Sequence, residues 1–191
     1  VNAIILDGSH RNDDSLDTIH GIVVEELTRL GCTAESIILH EMNIAHCIGC
    51  LECWVATPGL CRVADDGRLV AERLIQSDVI VMLTPVTFGG YSAELKKALD
   101  RAICLVLPYF VEEDGEIHHE PRYQSFPRMM IVGVIPEHDE EAESVFRQLI
   151  ARNARNFHPL AHGGAVIATS SGDESIRTEI RSLLASVGAA V

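Results

Sequence analysis

Short, uninterrupted apolar runs alternate with amphipathic helical stretches along the chain, and this alternation limits the possible folds more than any other feature. Residues 3–6 form an apolar run that stops at Asp7-Gly8. Ile19, Ile22, Val23, Leu27 and Leu30 follow at helical spacing, with Gly31 as a stop. Residues 34–39 read as a strand, about 67–76 as a helix, and 79–83 as a buried strand halted by Pro85. Leu95, Ala98, Leu99, Ala102, Ile103 and Val106 lie at steps of three and four, behind a cap at Ser92 and an acidic first turn at Glu94. A strand at 129–135, a helix around 140–157, a strand at 165–169 and a helix at 176–187 complete five strands and five helices. Strands apolar on both faces and joined by helices predict a parallel α/β sheet, doubly wound in the order 2-1-3-4-5, with helices on both faces.

A chain of 191 residues is expected to form a single domain over 1–191, with a core large enough to need no covalent staples. No run approaches the roughly 18–20 apolar residues of a membrane span, so no membrane is expected as a partner. The net charge of −13 argues against nucleic acid and acidic membrane surfaces. The first residues carry no basic leader and read as a strand, which predicts a reducing, cytoplasmic setting. One stretch breaks the rhythm. Residues 108–127 are longer than most connections in compact domains and suit a flap or hairpin excursion, with Asp114-Gly115 at its turn. Such a hairpin is either a surface flap or dimer contact, or a lid that brings His118 or His119 to a substrate pocket.

Ligands of an open α/β sheet bind beyond the carboxyl ends of its strands, which here means residues 8–15, 40–61, 85–91, 135–138 and 169–174. The first of these loops, Gly8-Ser9-His10-Arg11-Asn12-Asp13-Asp14-Ser15-Leu16, leads into a helix. Small hydroxyls, an arginine and free N–H groups at a helix start suit a phosphate monoester, or simply a capped helix in which Asp13 and Asp14 are the caps. The third loop, Pro85-Val86-Thr87-Phe88-Gly89-Gly90-Tyr91, offers aromatic faces and close backbone approach to a planar ring, or else is a packed strand-to-helix turn.

The second loop carries four of the six cysteines in the pattern Cys47-x2-Cys50-x2-Cys53-x7-Cys61. Thiols this close suit an iron–sulfur cluster, zinc, a redox-active dithiol, or structural packing without a ligand. Cys32 and Cys104 read as packing residues.

Three motifs together resemble one known family: Gly8-Ser9-x-Arg11; the four-cysteine run followed by Asp65-Asp66; and Pro85-Val86-Thr87-Phe88-Gly89 leading to Leu95-Lys96 and Asp100-Arg101. The chain resembles the NADPH-dependent FMN reductases of the flavodoxin-like superfamily, and within them the iron–sulfur flavoproteins. That resemblance implies a flavodoxin-like fold and FMN. Its phosphate would be held by Ser9, Arg11 and Ser15, with His10 and Leu16 in the same cofactor-binding loop, and its ring lined by Pro85, Val86, Thr87, Phe88, Gly89 and Gly90. It also implies a [4Fe–4S] cluster on Cys47, Cys50, Cys53 and Cys61 in members that carry one. NAD(P)H would be the donor, the acceptor is unspecified, and a homodimer or homotetramer is expected. His10 stands where the family usually has Pro, and Asp14-Ser15 where it has a pair such as Gly-Asn. No catalytic acid, base or nucleophile is singled out. The expected function is passage of electrons from a nicotinamide through flavin, against the alternative of a cysteine-based redox or metal sensor that turns over no substrate.

Overall fold

The computed structural model describes residues 1–113 and 115–189. Its sheet is built from β1 (Asn2–Asp7), β2 (Thr33–Ile38), β3 (Val79–Pro85), β6 (Arg128–Ile135) and β7 (His162–Ala168), all parallel and in the order β2-β1-β3-β6-β7. Counting only these five strands, the order is the predicted 2-1-3-4-5. The chain moves to one side of β1 first and then to the other, so the switch point lies between β1 and β3. The central strands are almost wholly buried because they are apolar on both faces.

Helices cover both faces. α1 (Asp17–Arg29) and α6 (Asp173–Ser186) pack over Ile5, Val81, Met130 and Val132. The opposite face, with Ile4, Leu6, Met82 and Ile131, lies under α3 (Asp66–Gln76), α4 (Ala93–Arg101) and α5 (Glu140–Phe157). Gly133 in β6 lets α5 approach, since a Cβ there would lie 2.6 Å from Phe146 and 2.7 Å from Val86. Between α1 and α6 the buried Glu26 accepts from Arg29 (2.7 Å), Arg177 (3.0 Å) and Arg181 (2.9 Å). Arg181 foremost, with Arg29 and Arg177, holds the Glu26 carboxyl down at about 2 although burial pushes it up.

Three local expectations are corrected. The helix read as far as Val106 ends at Arg101, tightens into a 3₁₀ turn at Ala102–Leu105, and hands Val106 to a strand. A helical turn absent from the reading, α2 (Glu52–Val55), sits inside the cysteine loop. Asp13 and Asp14 do not cap α1: the cap position is Leu16, which has no oxygen to give, while the Asp13 carboxylate accepts from the Ser15 N–H (3.0 Å).

The excursion is an antiparallel ribbon of β4 (Val106–Glu113) and β5 (Glu116–Pro121) outside the main sheet. Asp114 of the expected turn lies outside the described residues, while Gly115 adopts φ +79°. The ribbon is tied to α5: His158 Nε2 lies 2.7 Å from the His119 carbonyl, and Glu116 pairs with Arg152 and Arg155.

Candidate functional site

At the switch point the start of the first loop packs on β3 and on the cap of α4. The Gly8 N–H donates to the Leu83 carbonyl (2.8 Å), and a Cβ on Gly8 would lie 2.9 Å from Ser92 Oγ. Any larger residue at this position would force a shift of these neighbours. Behind them Asp7 is buried, its carboxylate accepting from the Ser9 N–H (2.8 Å) and lying 2.6 Å from His20 Nδ1. Burial pushes the Asp7 carboxyl up, but His20 and Ser9 outweigh it and hold it below its ordinary value.

The sequence-derived phosphate residues surround the start of α1 unevenly. Ser9 is buried, with Oγ 3.4 Å from His40 Nδ1, whereas Arg11 is exposed and donates to the His40 carbonyl (3.2 Å). His10 is half-buried, Ser15 exposed and Leu16 fully buried. Because Leu16 supplies no capping oxygen, the first-turn N–H groups of α1 lack a side-chain partner. Such a start can accept an external anion.

In the third loop, residues 87–90 close a two-residue turn through Thr87 N to Gly90 O (3.0 Å) and Gly90 N to Thr87 O (2.9 Å). Phe88 (φ +50°) and Gly89 (φ +74°) occupy its left-handed positions. Gly adopts this conformation freely, but Phe does so at a cost of about 1–2 kcal/mol, and its ring is fully exposed at 106 %. An aromatic ring held in solvent on a strained backbone has no packing reason to be there. Pro85 and Val86 are half-buried. Ser92, buried, caps α4 by accepting from the Leu95 N–H (3.2 Å), as the sequence predicts.

The cysteine loop lies off the carboxyl end of β2, and its ends are held together by a buried ion pair. Arg101, only 2 % exposed, donates to both Asp65 oxygens (2.7 and 2.8 Å), to the Ala45 carbonyl (2.9 Å) and to the Val63 carbonyl (3.2 Å). Asp65 also accepts from the Ala45 N–H (2.9 Å) and caps α3 through Gly67 (3.0 Å). Burial pushes the Asp65 carboxyl up, and Arg101 with the two N–H groups outweighs it, so the group stays below its ordinary range. Trp54 anchors the middle of the loop, its indole N–H shared between the carbonyls of Ile103 (3.2 Å) and Val106 (3.0 Å). The sequence motif contained Asp65 and Arg101 but gave no sign that they join across the fold.

All four clustered thiols are free and line one cavity of about 520 Å³. Cys47 and Cys50 are exposed, Cys61 is half-buried and Cys53 is buried. Burial pushes the Cys53 thiol up, and negative charge on Cys61, Cys47 and Cys50 pushes it further. Among the described residues no three His, Cys, Asp or Glu side chains are grouped so as to hold a metal ion. The cavity is lined by none of the predicted flavin residues, so the first and third loops and the cysteines are separate candidate sites. Cys32 and Cys104 are buried, as expected of packing residues, and burial lifts the Cys104 thiol to about 11.

An open parallel sheet in this order, with a glycine-rich turn and an uncapped helix start at its switch point, defines a doubly wound protein of the flavodoxin-like class. The chain belongs to the NADPH-dependent FMN reductase family, whose family model matches residues 1–154. An iron-sulfur flavoprotein of Methanocaldococcus jannaschii is 29 % identical over 102 residues, 53 % of this chain and 52 % of that protein. One of Archaeoglobus fulgidus is 32 % identical over 102 residues, 53 % of this chain and 49 % of its own. The matches thus span about half the length of these relatives. Among solved structures, an NAD(P)H:quinone oxidoreductase from Methanothermobacter marburgensis superposes with a TM-score of 0.63 at 17 % identity, covering 95 % of each chain. An FMN-dependent NADH-azoreductase from Bacillus anthracis, solved with FMN, gives 0.63 at 14 % identity and the same coverage. These likenesses establish the shared fold. No described helix is long and apolar enough to cross a membrane.

Proposed function

We propose that the chain is an FMN-dependent oxidoreductase that takes electrons from NAD(P)H and passes them to a small or protein acceptor. One observation carries the reading: an uncapped α1 start and a strained, glycine-bearing turn follow the two strands that flank the switch point, where Gly8 packs on the end of β3 and the Ser92 cap of α4. The first-turn N–H groups of α1, with Ser9 and Ser15, would bind the FMN phosphate. Arg11 would join them by releasing the His40 carbonyl. Backbone groups of residues 85–90 would orient the flavin ring, and Phe88 would cover it. When bound, FMN accepts a hydride from the nicotinamide and releases electrons singly or in pairs. The chain contributes placement, exclusion of water and the local field.

The cysteine loop would hold a second cofactor. Four free thiols line one cavity, and a cationic centre there would favour their ionised, metal-binding form. A single zinc ion needs all four sulfurs at about 2.3 Å, a grouping the side chains do not make. A [4Fe–4S] cluster sets its ligand sulfurs farther apart and suits Cys47, Cys50, Cys53 and Cys61 better. The wider proposal is a protein of a reducing compartment that works as a homodimer or homotetramer.

The test is anaerobic purification with FMN, iron and sulfide supplied. About one FMN per chain, bleached by NADPH, is expected, together with about four irons per chain that fall away in Cys50→Ser. A protein that binds no FMN would sink the flavin reading. Unchanged iron in Cys50→Ser would sink the ligand assignment alone.

A further inference from the structure

Three polar side chains lie in line where α1 covers the first two strands. Asp7 ends β1, His20 follows the first turn of α1, and Ser36 stands on β2. Ser36 pairs in register with Ile5, which packs under α1, and Asp7 lies two residues beyond Ile5. Side chains alternate along a strand, so Ser36 and Asp7 share the α1 face and meet His20 there. His20 Nδ1 is 2.6 Å from Asp7 Oδ2, and Nε2 is 2.9 Å from Ser36 Oγ. The other Asp7 oxygen accepts from the Ser9 N–H (2.8 Å).

Chemistry sets the direction of each bond. An ionised carboxylate only accepts, so Nδ1 carries the proton of the neutral imidazole and donates it to Asp7. Nε2 is then left with a lone pair, and the Ser36 O–H donates to it. A hydroxyl bonded to an imidazole that a carboxylate orients is placed to act as a nucleophile. Ser36 is exposed, and among the described residues its Oγ has no other side-chain partner. β2 is also the edge strand of the sheet, where alternate N–H groups face solvent. Of the consecutive amides of Ser36 and Ile37, one is therefore free to meet an oxyanion formed beside Oγ.

A second trio of the same residue kinds differs in its setting. Ser171 Oγ is 3.3 Å from His138 Nε2, and His138 Nδ1 is 3.0 Å from Glu143, which also pairs with Arg147. The His138 side chain is 69 % exposed, so water competes for both ring nitrogens. The His20 side chain is 16 % exposed and Asp7 only 4 %, which keeps that ring in one orientation.

We propose that Ser36 is an activated nucleophile, with His20 as its base and Asp7 positioning the imidazole, and that it hydrolyses small uncharged carboxylic esters at the open edge of the sheet. The net charge of −13 disfavours anionic esters. In the first step Ser36 Oγ bonds to the acyl carbon and its proton passes to His20 Nε2. The bond from the acyl carbon to the alkoxy oxygen then breaks as that oxygen takes the proton. Water repeats the sequence on the acylated serine, releasing the acid and restoring the Ser36 O–H. Asp7 stabilises the imidazolium present between the transfers.

The full chain, free of flavin and metal, is treated with a fluorophosphonate, which forms an Oγ–P bond and releases fluoride. Peptide mass spectrometry is expected to find the label on Ser36, at a rate about tenfold or more above that on Ser171. His20→Gln, with an unchanged circular dichroism spectrum, should slow labelling of Ser36 by about 100-fold. Hydrolysis of p-nitrophenyl acetate should fall in Ser36→Ala, a comparison in which the free thiols are common to both proteins. The role of Asp7 is read by ¹⁵N NMR of the His20 ring, assigned among the nine histidines by its absence in His20→Gln. Nδ1 should carry the proton in the parent chain and Nε2 in Asp7→Asn. Equal labelling of Ser36 and Ser171, a rate unchanged in His20→Gln, ester hydrolysis unchanged in Ser36→Ala, or an Nε2 proton in the parent chain would each overturn the proposal.

Discussion

Replacement of Arg101 by Met is predicted to be the most damaging single change in the cysteine loop, through loss of one buried charge. The guanidinium makes four hydrogen bonds, two to Asp65 and one each to the carbonyls of Ala45 and Val63. Met fills much of the same volume but leaves Asp65 charged, nearly buried and dependent on two backbone N–H groups. Removing one partner of a buried pair costs about 3–5 kcal/mol, mostly as the penalty on the charge left behind. In a chain of this size each kcal/mol moves Tm by about 2–4 °C, so a fall of about 6–20 °C is expected in thermal unfolding of flavin-free protein. Asp65→Asn removes the stranded charge, so the double variant should lose clearly less than the two single losses added. The loop ends should also part, and Cys61 in Arg101→Met should alkylate faster than in the parent chain under native conditions. A loss below about 1 kcal/mol, or strictly additive losses, would refute the claim that this pair holds the loop shut.

Phe88→Gly should relieve the left-handed strain and, net of the added backbone entropy, raise stability by about 0.5–1 kcal/mol. If Phe88 covers the flavin ring, the same variant should bind FMN about tenfold more weakly by fluorescence titration. Gly133→Ala drives a methyl into Phe146 and Val86 and should cost about 1–3 kcal/mol in urea unfolding. Glu26 has a folded pKa of about 2, below its unfolded value, so its contribution is complete above about pH 4.5 and disappears as pH falls towards 2. Glu26→Gln should therefore lower stability at neutral pH and flatten the acid limb of a stability–pH profile.

The strands were legible because burial on both faces demands continuous apolar runs, and residues 79–83 and 129–135 satisfy that without help from distant partners. Ser92 was legible for a local reason as well: a cap and its helix lie side by side in sequence. The helix read through Val106 failed because Ile103 and Val106 keep helical spacing although one lies in the 3₁₀ turn and the other opens β4. Trp54 draws the Ile103 and Val106 carbonyls outward, a contact across 49 and 52 positions that no periodicity reveals. Arg101 and Asp65 were visible as motif members, but their pairing spans 36 positions. Phe88 read as a flat face for a ring. Its positive φ was hidden because nothing in the residue itself asks for that conformation.

The two candidate sites are joined by one rigid element. α4 begins at Ser92, where a Cβ on Gly8 would touch the cap oxygen, and ends at Arg101, which holds the cysteine loop. Nine helical residues span on the order of 13 Å, so the cap end beside Gly8 and the cysteine cavity keep that separation as long as the helix stands. Lys96, Leu99, Asp100 and Ile103 turn one face of this segment to the cavity, while Leu95 and Ala98 are buried in the core beneath. A change at the Ser92 cap should therefore be felt at the cysteines: Ser92→Ala removes a capping bond worth about 1 kcal/mol and loosens the first turn. Faster alkylation of Cys61 in that variant, with its fold retained, would show the helix acting as a strut between the sites. An unchanged rate would mean that the Arg101 end is held by Asp65 alone and that the two sites are mechanically independent.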